Sequence, residues 1–188
     1  MADIPDTDER LGPLLEYFFE RLNRVYAHFF CVLEFEKDPD LREDPGTNDR
    51  AWSLQTIQNG CFHASLIAIR DLDDFLTPRG PKSKLDDLKA SDFGYTESCS
   101  FLTLEERTAI NKSIAHTTKV GAQSQRDRWK IWELTSKCIE QSVHFLKWVE
   151  GHYGLSHFIL FTAALAGRTK LEKIHAYVAA EIAKRNRR

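Results

Sequence analysis

The chain has 188 residues, a mass of 21.7 kDa and a formal net charge of −2, with 42% hydrophobic and 29% charged residues. This length and composition are typical of a single soluble globular domain with one hydrophobic core. The small net charge excludes a protein that binds nucleic acid through overall positive charge, so such binding would require a local basic patch.

The first predicted helix runs from Asp8 to about Glu36, with Pro13 in its first turns, where a missing N–H is tolerated. Apolar residues recur every three or four positions along it: Leu11, Leu15, Phe18, Leu22, Val25, Phe29 and Val32. Five more widen this stripe: Leu14, Phe19, Tyr26, Phe30 and Leu33. A stripe of this width requires cover from two sides, by other helices or by a second subunit.

Residues 38–49 contain two prolines and a glycine and are predicted to form a polar loop. A second long helix is predicted from about Arg50 to Leu76, where Pro78, Gly80 and Pro81 follow it. Its predicted inner row consists of Leu54, Ile57, Cys61, Ala64, Ala68 and Leu72.

Residues 79–100 are the least regular part of the sequence. The third predicted helix begins near Leu104, because Thr103 and Glu106 have the spacing of a capping box, and it ends before Gly121. The next helix is predicted over about 125–150. Its inward-facing residues are Trp129, Trp132, Ile139, Leu146 and Val149.

The final helical region covers residues 156–188 and is predicted to break near Gly167. Its second half has one apolar face, formed by Leu171, Ile174, Val178 and Ile182. The elements together predict an all-α antiparallel bundle of about five to six helices. We expect a single domain over 1–188, with a core bundle over about 8–153 and a C-terminal helical extension over 156–188 that ends in a basic tail.

The basic residues of this tail have two interpretations. They suit the negative end of the helix dipole, or they form a phosphate-binding tail with salt-dependent affinity. The residues concerned are Arg168, Lys170, Lys173, Lys184, Arg185, Arg187 and Arg188.

The sequence indicates a cytoplasmic protein that does not associate with a membrane. Its first ten residues are polar and acidic, unlike a secretory signal. Its longest apolar stretch, Phe158 to Ala166, is shorter than the roughly 20 residues of a membrane-spanning helix. The cysteines are far apart and form no CxxC motif, which predicts buried free thiols ahead of disulfides or zinc. They are Cys31, Cys61, Cys99 and Cys138.

The third predicted helix carries an amide, a cation and an imidazole within two turns. Lys112 and His116 share a face, whereas Asn111 lies about 140° round the helix from His116. An imidazole can act as a general acid or base near neutral pH, and a nearby cation can stabilise charge on a phosphate. These are the residue types of metal-free RNA cleavage, so we expect no metal and no other cofactor. Alternatively, His116 only caps the end of its helix.

A second polar cluster lies near the end of the second predicted helix, at Arg70, Asp71, Asp73 and Asp74. Carboxylates that bind Mg²⁺ normally come from several elements. We therefore expect a structural Arg–Asp network between the second and third helices rather than a metal site.

The segment Asn-Lys-Ser-Ile-Ala-His, from Asn111 to His116, resembles the HEPN superfamily, specifically its abortive-infection-like branch. The segment from Ile69 to Phe75 is similar to an Arg-x-Leu-x-Asp-Phe segment of uncharacterised bacterial proteins of this kind. Leu85 to Asp87 and Ala90 to Phe93 resemble the connection that precedes their His-bearing helix. The resemblance covers roughly residues 50–150.

HEPN nucleases share the pattern Arg-polar-x(3 to 5)-His, and two copies of it meet across a dimer. The resemblance therefore implies a HEPN-like bundle and a homodimer. It places His116 at the His position, Asn111 at the polar position and Ile110 at the Arg position. It also implies that Lys112 assists catalysis. The further cations that would bind phosphate are Arg70, Arg107 and Lys119.

Two functions follow from this resemblance. One is a metal-independent RNA endonuclease of toxin or phage-defence type, with RNA as substrate and an antitoxin or other protein as partner. The other is a catalytically silent helical module for interaction or nucleic-acid binding. Ile110 at the Arg position favours the silent module, whereas His116 and Lys112 favour the nuclease.

Overall fold

The computed structural model describes residues 8–36, 49–80, 88–97, 100–115, 131–153, 158–185 and 187. Five α-helices and one 3₁₀ turn occur in these ranges, and no strand does. The helices are α1 (Asp8–Glu36), α2 (Asp49–Leu76), α3 (Leu104–Ala115), α4 (Ile131–Tyr153) and α5 (Phe158–Arg185), and the 3₁₀ turn is Ala90–Phe93. The prediction of an all-α bundle of about five helices is confirmed.

The predicted start of the third helix is also confirmed, because a capping box is present there. The Thr103 N–H donates to Glu106 Oε2 at 2.8 Å, and the Glu106 N–H donates to Thr103 Oγ1 at 3.1 Å. Each side chain thus satisfies a backbone N–H that has no partner within the helix. This reciprocal pair fixes the start of α3 at Leu104.

Helices α1 and α2 pack side by side as an antiparallel hairpin. Arg21 Nε lies 3.1 Å from Asp71 Oδ2, and Ser65 Oγ donates to the Arg24 carbonyl oxygen at 2.9 Å. As the residue number rises along α1, the residue numbers of its contacts on α2 therefore fall. Helices α4 and α5 form the second extensive pair, so the bundle consists of two helical hairpins with α3 against the end of α2.

One hydrophobic core joins the two hairpins. The Phe145 ring on α4 lies 4.9 Å from the Phe18 ring on α1 and 5.4 Å from the Phe75 ring on α2, measured between ring centroids. Helix α5 contributes Leu171 and Val178 to the same core. The inward face predicted for α4 is confirmed at the positions described, since Ile139, Leu146 and Val149 are buried and Trp132 is half-buried. Trp129 lies outside the described residues.

The broad apolar stripe of α1 is covered mainly by other helices of the same chain. Leu14 and Tyr26, which widen the stripe, are buried, and Phe19 packs against the core. Phe30 is the exception among the described side chains of this stripe, with 46% of its surface exposed. Over the described part of α1, the width of the stripe is thus explained without a second subunit.

The predicted break near Gly167 is wrong, because α5 runs without interruption from Phe158 to Arg185. A Cβ atom at position 167 would overlap the ring of Phe19 on α1. The glycine therefore permits close packing between α5 and α1, and it does not end a helix. No helix of the described ranges combines the length and apolarity required to cross a bilayer.

The predicted inner row of α2 is wrong at its N-terminal end. Ile57 has 53% of its surface exposed, and the buried positions described on this helix begin only at Ser65. The start of α2 extends beyond the core. Apolar residues with helical spacing therefore do not predict a buried face in this part of the helix. The prediction of buried thiols is likewise wrong for Cys31 and Cys61, which are half-buried, and is confirmed for Cys138.

Candidate functional site

The helix that carries the candidate motif, α3, is fixed to α2 by a carboxylate with no solvent exposure. Asp73 Oδ1 accepts hydrogen bonds from the Phe101 N–H at 2.8 Å, the Leu102 N–H at 3.0 Å and Ser100 Oγ at 2.9 Å. Asp73 Oδ2 accepts one from Arg107 Nη2. A buried charge is tolerated only when it is paired and hydrogen-bonded, and here both oxygens are satisfied.

Arg107 is the cation of this arrangement, and its guanidinium group has three further partners. It donates to Asp74 Oδ1 at 2.9 Å and to the hydroxyls of Thr77 and Ser100, each at 3.2 Å. The predicted Arg–Asp network between the second and third helices is confirmed, with Arg107 as the residue that bridges them. Arg70 instead pairs within α2, where its Nε lies 3.6 Å from Asp74 Oδ2.

A second ion pair fixes the start of α3 to α4. Lys137 Nζ lies 2.8 Å from Glu106 Oε1. Burial acts to raise the pKa of Glu106, but the hydrogen bonds from Lys137 and Thr103 outweigh it, so the pKa is lowered. The first turn of α3 is therefore held from two sides, by α2 through Arg107 and by α4 through Glu106.

The two adjacent motif positions on α3 have opposite environments. Ile110, at the position where HEPN nucleases carry Arg, is fully buried, whereas Asn111 is exposed. Position 110 thus faces the core. Lys112 lies within α3, but its side chain is outside the described part of the structure, and His116 and Lys119 lie outside the described residues altogether.

Three acidic residues near the end of α2 serve as ion-pair partners in this structure. Asp71 pairs with Arg21, and burial is the main cause that raises the pKa of this carboxyl, although nearby arginines oppose it. Asp73 and Asp74 pair with Arg107. Over the described ranges, no three His, Cys, Asp or Glu side chains are grouped in a way that could hold a metal ion.

Helix α5 has an exposed basic face, whereas the sequence predicted only a basic tail. Lys170, Lys173, Tyr177 and Lys184 are all exposed, and Tyr177 has 47% of its surface accessible. On an α-helix of about 100° per residue, these four positions fall within a sector of roughly 60°. Their spacing of three, four and seven residues was the signal in the sequence that would have identified them as one face.

Arg168 belongs to the basic tail in sequence but not to this face. Its Nε lies 2.6 Å from Glu150 Oε1 on α4, and its Nη1 lies 3.0 Å from Glu172 Oε1. Hydrogen bonds to both carboxylates raise its pKa, so it stays charged as a structural link between α4 and α5. Among the described cations of this tail, Lys170, Lys173, Lys184 and Arg187 are exposed, and Lys184 Nζ lies 3.7 Å from Glu181 Oε1.

A hydroxyl–imidazole pair also lies between α4 and α5, with Ser136 Oγ 2.9 Å from His175 Nε2. Such a pair is one part of a nucleophile-and-base arrangement, which also requires a third group that orients the base. Within the described ranges, no carboxylate forms a hydrogen bond with His175. The pair is accounted for as a link between two helices.

In comparisons with known proteins, no family model matches the chain, and no curated protein or solved structure is significantly similar to it. The HEPN resemblance stays a prediction that rests on the motifs around Asn111 and His116.

Proposed function

We propose that the protein is a catalytically silent, HEPN-like helical module that binds single-stranded RNA through the exposed face of α5. The observation that carries this proposal is the grouping of Lys170, Lys173 and Lys184 with Tyr177 on one accessible side of the helix. Another side of α5, roughly 110–130° round the helix from the centre of this face, is occupied by core packing through Leu171 and Val178.

Lysines interleaved with an exposed aromatic ring suit a single strand. The lysines would pair with phosphates, and the phenol ring of Tyr177 would stack on a base. Duplex bases are already stacked on each other, so an aromatic ring favours unpaired nucleotides, the usual target of sequence-dependent RNA recognition. From Lys170 to Lys184 the helix rises about 21 Å at about 1.5 Å per residue, which spans several nucleotides.

The environment of α3 supports a silent module over a nuclease. The HEPN cation position holds the buried Ile110, and the nearest arginine on α3, Arg107, is committed to Asp73 and Asp74. Transferring Arg107 to a phosphate would leave the buried Asp73 carboxylate without its cation. Breaking a buried pair in this way costs about 3–5 kcal/mol, more than one new surface phosphate contact returns.

The second candidate is a metal-independent endoribonuclease of toxin or phage-defence type, which the exposure of Asn111 on a firmly held helix favours. In this candidate, His116 is the general acid or base, Asn111 orients the scissile phosphate and Lys112 stabilises its charge. Arg70 and Lys119 are the further phosphate ligands. It requires a homodimer and includes an antitoxin as a protein partner, so a strict monomer in sedimentation at micromolar concentration counts against it.

The RNA-binding proposal is tested by fluorescence anisotropy with a labelled single-stranded RNA of twelve or more nucleotides, titrated at several salt concentrations. The variant combines Lys170→Gln, Lys173→Gln and Lys184→Gln. For single strands, the slope of log affinity against log salt falls by about 0.7 per lost phosphate contact, so the triple variant should lose about 2. Lys147→Gln, at an exposed lysine of α4, is the control and should leave the slope unchanged.

An unchanged slope and affinity in the triple variant would overturn the proposed surface. Catalysis is tested separately by incubating several RNAs with the protein in EDTA, with His116→Ala as the comparison. Cleavage by the wild type that the variant lacks would overturn the silent module and support the nuclease. Binding without cleavage is the expected result.

A further inference from the structure

Two cysteine side chains meet across the α1–α2 hairpin. The thiols of Cys31 on α1 and Cys61 on α2 lie within hydrogen-bonding reach of each other. The antiparallel register explains this, because Ser65 on α2 bonds to Arg24 on α1, and the next turns of both helices bring positions 31 and 61 together. Both cysteines are half-buried, so small reagents can reach them.

We propose that Cys31 and Cys61 form a reversible intramolecular disulfide that locks the end of the α1–α2 hairpin, with a low-molecular-weight disulfide such as glutathione disulfide as the oxidant. This inference does not depend on the RNA-binding function.

Burial affects the reactivity of this pair. Burial, together with the hydrogen bond to Cys61, raises the pKa of Cys31. Thiolates, not thiols, attack disulfides, so the reaction should be faster at alkaline pH. Either thiol can make the first attack, and the other then resolves the mixed disulfide.

In the first step, one of the two cysteines loses its proton, and its thiolate attacks one sulfur of glutathione disulfide, whose S–S bond breaks. One glutathione leaves as a thiolate and takes up the released proton. In the second step, the other cysteine loses its proton and attacks the cysteine sulfur of the mixed disulfide, which releases the second glutathione as a thiolate that takes up this proton. The protein loses two electrons and two protons, and the oxidant becomes two glutathione thiols.

The disulfide would lie next to the start of α2, which extends beyond the core. It encloses the connection between the two helices and the start of α2, where Trp52 and Ile57 are 60% and 53% exposed. A cross-link that closes a loop of this length restricts the unfolded chain and stabilises the folded one. For a chain of this size, the melting temperature should rise by roughly 5–15 °C.

The third described cysteine is an internal control for reactivity. Cys138 is fully buried, and burial raises the pKa of its thiol, so it should not react with glutathione disulfide in the folded protein. Cys99, which lies outside the described residues, is replaced by serine in every variant so that it cannot exchange.

The experiment incubates the folded protein in glutathione buffers of increasing oxidised fraction, followed by alkylation, peptide mass spectrometry and thermal melting. We expect a linked peptide pair that contains Cys31 and Cys61, a loss of two hydrogen atoms in intact mass and a higher melting temperature, all reversed by dithiothreitol. Cys31→Ser and Cys61→Ser should each stop at a glutathione adduct on the remaining cysteine of the pair.

Three results would overturn the proposal: stable glutathione adducts in the protein that keeps both thiols, a cross-link that involves Cys138, or a cross-link that leaves the melting temperature unchanged. Should either serine variant fail to fold, differential alkylation of the reduced protein and the oxidised protein gives the same answer without a change at these positions.

Discussion

Arg107 on α3 donates to the carboxylate of Asp73 on α2, a side chain with no solvent exposure, while the arginine itself is 28% exposed. The backbone N–H groups of Phe101 and Leu102 donate to the same carboxylate, so the segment before α3 is fixed by the residue that fixes α3 itself. The Asp73 carboxylate thus links both α3 and the segment before it to α2.

Arg107→Gln should destabilise the fold by about 3–5 kcal/mol, because it leaves the buried Asp73 carboxylate without its cation. Arg70→Gln is the matched control, since Arg70 pairs with the partly exposed Asp74 across a single turn of α2. An exposed pair of this kind contributes at most about 1 kcal/mol. Urea unfolding followed by circular dichroism gives both values, and equal losses would contradict the assigned role of Asp73.

The two arginines also show what sequence can predict here. Arg70 and Asp74 are one turn apart, so their pairing was visible in the sequence, whereas the Arg107–Asp73 contact depends on how two helices meet. The start of α3 followed from local chemistry, because Thr103 and Glu106 form in the structure the reciprocal hydrogen bonds that their spacing predicted. Contacts between residues far apart in the chain have no comparable local signal.

The predictions for Ile57 and Gly167 were wrong because each depended on the packing of a neighbouring helix, which the local sequence does not define. Apolar spacing identifies the inner side of a helix only where another element covers it, and the start of α2 extends past its cover. A glycine near the middle of a helical pattern suggests a break. Here the glycine instead leaves space for the Phe19 ring of a neighbouring helix, which a Cβ atom would overlap. In the candidate site, the exposure of Asn111 and the burial of Ile110 depend on the way α3 packs, which the motif alone does not define.

Gly167→Ala should destabilise the protein by about 1–3 kcal/mol, because the added methyl group overlaps the Phe19 ring and forces α5 away from α1. In an unobstructed helix the same change normally stabilises by up to about 1 kcal/mol. Gly60→Ala in α2, where nothing lies within 4 Å of the added carbon, is the control and should be neutral or stabilising. Thermal melting compares them, and adding Phe19→Leu to Gly167→Ala should restore part of the loss.

The stability that Glu106 contributes should disappear in acid. Its pKa is lowered in the folded protein from an ordinary value of 4.5, so the unfolded chain binds the proton more readily. The contribution is therefore complete above 4.5 and is lost as the pH falls through the lowered folded value. The stability difference between wild type and Glu106→Gln should shrink over this interval in urea titrations at a series of pH values.

The contribution of Asp71 to stability should have the opposite pH dependence, and it serves as the comparison. Its pKa is raised in the folded protein, mainly by burial, so the folded chain binds the proton more readily than the unfolded one. The stability of wild type relative to Asp71→Asn should therefore decrease as the pH rises from 3.8 through the raised folded value. The same pH trend in both variants would show that general acid unfolding, not these carboxyls, sets the differences.

Substitutions of Tyr177 distinguish base stacking from charge attraction on the proposed RNA-binding surface. Tyr177→Ala should weaken binding of a single-stranded RNA by about 1–3 kcal/mol, the value of one base stacked on one aromatic ring. Tyr177→Phe keeps the ring and removes only the hydroxyl, so its affinity should stay close to that of wild type. Neither change removes a lysine, so the salt dependence of binding should be the same in all three proteins. Fluorescence anisotropy at fixed salt measures the affinities, and equal weakening by both substitutions would indicate that the hydroxyl, not the ring, makes the contact.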